Sequence, residues 1–370
     1  MNKTRVTQAL AALGFASMSM AYCGSAAADI AVAIAGPMTG QYASIGSQIR
    51  TGAEMAVADI NAKGGVLGQK LKLEVGDDAC DPKQAVSVAN SMVNKKIVFM
   101  HGHFCSSSTI PASEVYNEAQ IPMATVSTNP KVTERGLKNI FRIIGRDDQQ
   151  GAVAGNYIAN KFQGKKVAVI DDKSTYGKGL ADEMAKALDK RNVKPALRES
   201  ITAGEKDYTG LVTKLKAAGV EVLAYGGYHT EVALILRQAQ QAGLKLTVMS
   251  GDTMTVSELA TAAGPTADNV MFTFSPDPRK NPGVAGLVKK FRDANVEPEG
   301  YTLYAYAAMQ LFAEAATQAR SVKSGDLQKT LAAGAFDTVI GKVSFDAKGD
   351  PKIPEFVVYR WKGGQYDYAN

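Results

Sequence analysis

The stretch Ile97-Val98-Phe99-Met100-His101-Gly102-His103-Phe104-Cys105-Ser106-Ser107-Ser108-Thr109 reads as a strand, a glycine turn and a helix start. Ile97 to Met100 is short and apolar, as a buried strand is. Ser106 to Thr109 open a helix expected over Pro111 to Ala119. Serines in that place cap the first turn, and their hydroxyls and the free backbone N–H groups converge on one point. Such a helix start holds an anion without any lysine or arginine. The stretch lacks the Gly-x-x-x-x-Gly-Lys of a phosphate cradle, so a carboxylate suits it better than a nucleotide. Taken alone, the serines are explained first by plain helix capping.

Upstream, Ile30 to Ala35 is an apolar strand broken by Gly36-Pro37-Met38-Thr39-Gly40. Ile49, Ala53, Ala56, Val57 and Ile60 then recur at helical spacing within Gly46 to Asn61, and Lys63-Gly64-Gly65 stops that helix. Leu71 to Val75 alternates as a strand, and Asp81-Pro82 starts a helix running to about Val93, with Asp as cap and Pro at the first helical position. Downstream, the strand Ile121 to Val126 ends in Ser127-Thr128-Asn129-Pro130.

After Phe141-Arg142-Ile143 the alternation restarts. Gln150 to Phe162, the helix after Tyr176-Gly177, Tyr208 to Ala218 and Thr230 to Ala242 read as helices. Lys166 to Ile170, Val193 to Ser200, Val222 to Tyr225 and Leu246 to Met249 read as strands, the last ending at Ser250-Gly251-Asp252. Val270 to Phe274 is a further strand, Thr302 to Gln318 a long helix, and Val343 to Phe345 and Phe356 to Trp361 are late strands. Tyr301, Tyr304 and Tyr306 at the start of the long helix read as structural. Strand alternating with helix implies βαβ units, parallel sheets and right-handed crossovers. In such sheets ligands sit at the carboxyl ends of the strands, where the Ser106 and Thr128 turns lie.

The chain has 370 residues, 45% hydrophobic and 21% charged, which is ordinary globular material but too long for one core. The net charge of +6 is spread among interspersed acids and bases, so nucleic acid is not an expected partner. Lys3 and Arg5, the apolar run Ala9 to Ala21 and the small residues Ser25-Ala26-Ala27-Ala28 form a secretory leader, with cleavage expected near Ala28-Asp29. The run is too short and too polar for a membrane span. Cys23 is expected to leave with the leader. Cys80 and Cys105 remain, and in an exported chain an even pair suggests a disulfide, two buried thiols being the alternative. No zinc spacing is present, and His101 with His103 make a poor metal site, so neither a metal nor a cofactor is expected. No Gly-x-Ser-x-Gly, Gly-x-Gly-x-x-Gly or His-Glu-x-x-His pattern points to an enzyme.

Several segments in order carry a resemblance. These are Ile34-Ala35-Gly36-Pro37-Met38-Thr39-Gly40, the run from Gly52-Ala53-Glu54 to Lys63-Gly64-Gly65, Asp77-Asp78-Ala79-Cys80-Asp81-Pro82-Lys83-Gln84-Ala85 and Cys105-Ser106-Ser107-Ser108-Thr109. Ile201-Thr202-Ala203-Gly204-Glu205-Lys206-Asp207 and Tyr225-Gly226-Gly227-Tyr228-His229 complete them. Together they resemble the leucine/isoleucine/valine-binding proteins, periplasmic solute receptors of ABC importers. The resemblance covers essentially the whole mature chain.

It implies two α/β lobes with parallel sheets flanked by helices (the type I periplasmic binding fold), joined by a three-strand hinge. The lobes are expected at 29–146 with 276–350 and at 147–275 with 351–370, after a signal peptide over 1–28. It also implies a monomer that closes on an amino acid, most simply a branched-chain aliphatic one, and docks on a membrane permease. Ser106, Ser127 and Thr128 match positions that bind the ligand's carboxylate and ammonium, and Asp252 matches the acidic partner of the ammonium. Tyr176 and Tyr228 match second-lobe contacts, and Cys80 and Cys105 match the family's disulfide. Two positions depart: Asp252 stands where the best-matching proteins carry Glu, and Ile45 where an aromatic residue borders the side-chain pocket, with Tyr42 nearby. Another amino acid, an amide or a small carboxylate is the alternative ligand, and a ligand sensor the alternative role.

Overall fold

The computed structural model describes residues 28–352 and 356–369, so the leader expected over 1–28 lies almost wholly outside the described residues. Strands β1 (Ile30–Gly36), β2 (Leu71–Asp77), β3 (Phe99–His101), β4 (Met123–Thr125) and β5 (Ile140–Arg142) form one sheet in the order β2-β1-β3-β4-β5, with every pairing parallel. The helices between them are α1 (Ala43–Ala62), α2 (Pro82–Asn94), α3 (Ser106–Glu118) and the short α4 (Lys131–Glu134). The expected cap of α2 is present: the Asp81 carboxylate accepts from the Gln84 amide at 2.7 Å, with Pro82 as the first helical residue.

Helix α3 departs from its expected form. It starts at Ser106 with Cys105 at the cap position, so Pro111 lies inside it and the serines fill its first turn instead of capping it. Cys105 is bonded to Cys80 across a sequence separation of 25. Loop closure of that size contributes about 3 kcal/mol in the chain-entropy model. Reduction is therefore expected to lower the unfolding free energy by about 2–4 kcal/mol in urea titrations run with and without reductant. Equal midpoints would show that the bond constrains nothing.

A second sheet follows. It contains β6 (Val167–Asp171), β7 (Leu197–Ser200), β8 (Val222–Gly226), β9 (Thr247–Ser250) and β10 (Val270–Phe274), all parallel in the order β10-β9-β8-β6-β7. Its helices are α5 (Asp147–Lys161), α6 (Thr175–Lys190), α7 (Thr209–Ala217), α8 (His229–Gln241) and α9 (Ser257–Ala263). The chain then returns to the first sheet with α10 (Ala285–Asp293), α11 (Thr302–Ala319), α12 (Ser324–Ala333) and a small hairpin of β11 (Ala335–Thr338) and β12 (Gly341–Ser344). It ends as β13 (Val357–Lys362) and β14 (Gln365–Tyr368), which extend the second sheet beyond β10. These last two run antiparallel, so the second sheet is mixed where an all-parallel one is the simpler expectation. Gly363 and Gly364, both at positive φ, make the tight turn that this hairpin needs.

The chain thus passes between the two sheets three times: after β5, after β10 and after β12. Helix α11 seats on α1 at a close approach, because a Cβ on Gly52 would fall 2.0 Å from the Thr302 carbonyl oxygen. Buried Arg142, at the end of β5, ties the first and third passages together. Its Nε donates to Asp350 Oδ1 at 2.9 Å, and Arg146 Nη1 donates to Asp350 Oδ2 at 2.9 Å. Arg142 also donates to the carbonyls of Ser127 and Asn129, and so holds the loop between them.

Candidate functional site

The carboxyl ends of both sheets face each other across the three passages. Phe104, Ser106, Val126 and Thr128 from the first lobe, with Tyr176, Tyr228, Asp252 and Thr253 from the second, enclose a cavity of about 10 Å³. That is room for about one water molecule. An amino acid therefore enters only when the lobes or their side chains move apart.

The first-lobe wall follows from β3 and α3. The strand delivers the chain to the helix start, and Ser106 is the first helical residue, 1% exposed. The Ser108 and Thr109 amides donate to the Cys105 carbonyl at 2.9 and 2.8 Å, and Ser106, ahead of them, presents its hydroxyl and the helix-terminal amide end to the cavity. Thr128 stands beside it on the loop that Arg142 clamps. Ser127, equally buried, faces inward: its hydroxyl donates to the Phe104 carbonyl at 2.6 Å, with the His103 carbonyl 3.0 Å away. It holds the α3 start and the Thr128 loop together and does not line the cavity. His103 is likewise engaged, with Asp78 at 2.5 Å and Tyr116 at 3.2 Å.

The second-lobe wall carries the acid. Asp252 lies just after β9 and is 2% exposed. Its Oδ1 accepts from Tyr176 at 2.8 Å and its Oδ2 from Tyr301 at 2.5 Å. Burial pushes its carboxyl up from the usual range, against the pull of those hydroxyl donors. Gly251 beside it has no room for a side chain, since a Cβ would fall 2.4 Å from the Tyr176 hydroxyl. A carboxylate buried among neutral donors is a natural partner for a cation.

Tyr301 is packed among Phe104, Phe274 and Tyr304, as a structural residue is, and its hydroxyl has one polar contact besides. It precedes α11, is fully buried behind the cavity wall and donates its hydroxyl to Asp252, so it orients a residue of the cleft without lining the cavity itself. Ile45 is fully buried in α1 and does not line the cavity. The aromatic ring in that region is Tyr42, stacked on Tyr228 of the opposite lobe with centroids 4.1 Å apart. No periodicity marks Tyr42 or Tyr301, and their contacts are long-range. Tyr42→Ala is expected to weaken ligand affinity roughly tenfold, because closing the lobes then gains no ring stacking. Calorimetric titration of this variant at wild-type affinity would remove the ring from the closing contacts. The lobes also meet where Asn129 Nδ2 donates to the Thr175 carbonyl at 2.9 Å and Gln48 Nε2 to the Thr255 carbonyl at 3.1 Å.

A pair of α/β lobes turning an amide-rich helix start and a buried acid on one cavity defines a cleft-type binding protein for small charged solutes. Comparison with known proteins agrees. The family model described as periplasmic binding protein matches residues 29–365. The Leu/Ile/Val-binding protein homolog 1 of Brucella suis is 50% identical over 354 residues, covering 94% of this chain and 95% of that protein. The leucine-, isoleucine-, valine-, threonine- and alanine-binding protein of Pseudomonas aeruginosa is 42% identical over 360 residues, covering 97% and 95%. A branched-chain amino acid transporter substrate-binding protein from Streptococcus pneumoniae, solved with isoleucine, superposes with a TM-score of 0.83 at 26% identity, covering 92% and 98%. The chain belongs to the periplasmic binding protein family, in its branch of Leu/Ile/Val-binding proteins.

Proposed function

We propose that the protein captures a free amino acid, first among them leucine, isoleucine and valine, and delivers it to the permease of an ABC importer. Ser106 and the α3 start take the ligand carboxylate, and Asp252 with Thr128 takes the ammonium. Tyr176 and Tyr228 close over it from the second lobe. The hinge divides lobes of residues 29–146 with 276–350 and 147–275 with 351–370. The mature chain, cut near Ala28-Asp29, works as a monomer in the periplasm.

One observation carries this reading: an anion-type helix start and a buried acid face each other across a single cavity. A zwitterion sealed between lobes loses water at both charges, which is costly unless each is paired. The relatives named for leucine, isoleucine and valine supply the first ligand choice. Binding of a closing ligand shifts the population toward the compact form. Small-angle scattering with and without leucine is expected to show a smaller radius of gyration in the complex. A saturating ligand that leaves the scattering curve unchanged contradicts closure.

A further inference from the structure

Helix α5 begins immediately after the first passage between the lobes, and its first turn carries Asp147 and Gln150. Both are fully buried. Neither oxygen of Asp147 and neither polar atom of Gln150 makes a hydrogen bond of good geometry; the Thr128 hydroxyl is the polar group beside the first and the Asp252 carboxyl the one beside the second. The Asp147 backbone amide donates to the Thr128 carbonyl at 2.9 Å, and its Oδ2 lies 4.0 Å from where a Cβ on Gly179 would stand, on the Asn129 side of the same loop, so the residue backs the loop that carries Thr128. Gln150 Oε1 lies 2.4 Å from where a Cβ on Gly251 would stand, next to Asp252. One helical turn therefore backs both Thr128 and Asp252.

The charged and titratable groups around Asp147 are Arg142 from β5, Asp252 from the turn after β9, Tyr176 and Tyr228 from the second lobe, and Asp148 on its own helix. Arg142 is the one cation among them. Its guanidinium is already used by Asp350, Thr133 and two carbonyls. Among the described residues, then, the cation that acts most on this pair of buried carboxyl groups is one already engaged elsewhere. Like charges so placed do not both ionise.

We propose that Asp147 is a second acid of the ammonium site: with Asp252 it retains one proton between two buried carboxyl groups until the ligand's ammonium arrives and displaces that proton to solvent. One carboxyl O–H ionises and the ammonium's positive charge takes the proton's place; no other bond changes. Burial, then the charge of Asp252, hold the Asp147 carboxyl well above the usual carboxylate range, and burial raises Asp252 as well. Asp147 acts through Thr128 and Asp252 and is a positioning residue. The consequence for ligand class is direct: the solute must bring a cation, so carboxylates without an amine leave the acid pair unanswered.

The inference rests on the amino-acid reading above, and the test separates the two. Calorimetric titration of the protein with L-leucine, repeated in buffers of different ionisation enthalpy, counts the protons exchanged. Release of up to about one proton per site is expected, with affinity rising as pH is raised through the range where the acid pair ionises. Asp147→Asn is expected to cut the release by at least about half and to flatten the pH dependence. Leucine binding without proton release in the wild-type protein overturns this inference and leaves the receptor reading standing, with no variant needed. Undiminished release from Asp147→Asn overturns it too. Failure of every amino acid to bind overturns both readings.

Discussion

Asp252→Ala is expected to weaken binding of a leucine-type ligand by about 2–5 kcal/mol, or roughly thirtyfold to several thousandfold. The reason is the asymmetry of buried charge. In the proposed complex the ammonium has left water, and without the Asp252 carboxylate its immediate partners are Thr128 and tyrosine hydroxyls, with Asp147 the one acid left behind them. The same change leaves the Tyr176 and Tyr301 hydroxyls without the acceptor that now orients them. Asp252→Asn separates the two effects, because its amide oxygen still accepts from a tyrosine while the charge is gone. Calorimetric titration is the check, with circular dichroism confirming the fold. Wild-type affinity in Asp252→Ala would assign the ammonium to some other group.

Arg142→Met has the largest expected effect on stability, a loss of about 3–5 kcal/mol in urea titration. Arg142 is 0% exposed and sits where two of the three interlobe passages meet. Its removal leaves the Ser127 and Asn129 carbonyls short of a donor and leaves Asp350 to Arg146 and Thr133. Burial alone pushes the Asp350 carboxyl up, but the Arg142 and Arg146 charges outweigh it and hold the group below its usual range. A carboxyl depressed in the folded state stabilises the fold above its unfolded value, about 3.9. That stabilisation disappears as pH falls through the depressed folded value. In Arg142→Met the acid limb of the stability curve is therefore expected to flatten. A variant as stable as the wild-type protein would mean that the hinge is pinned elsewhere. Ligand affinity is a second readout, since Arg142 clamps the loop that carries Thr128.

The alternation of strands and helices was open to reading because its causes are local. Asp81-Pro82 starts a helix by its own chemistry, and Val222 to Gly226 is buried on every residue because helices cover both faces of its sheet. Ser106 and Tyr228 lie inside the ordered motifs, Thr128, Tyr176 and Asp252 follow from the positions the resemblance implies, and all five line one cavity. What escaped depends on contacts between distant positions. Tyr301 reaches an acid 49 residues away, and Arg142 a partner 208 residues away. Asp147 and Gln150 sit in a polar run that reads as an ordinary helix start; only the folded chain buries them. Ser127 matches the ligand positions only through its place beside Thr128; successive residues of an extended segment face opposite ways, and its hydroxyl turns inward to the main chain before α3.

The central claim is that both charges of one small molecule are answered, one by each lobe. The direct measurement is calorimetric titration with L-leucine and with its two halves, 4-methylpentanoate, which lacks the ammonium, and 3-methylbutylamine, which lacks the carboxylate. The account predicts that leucine binds and that each half binds at least about a hundredfold more weakly. Either half binding as tightly as leucine would contradict it.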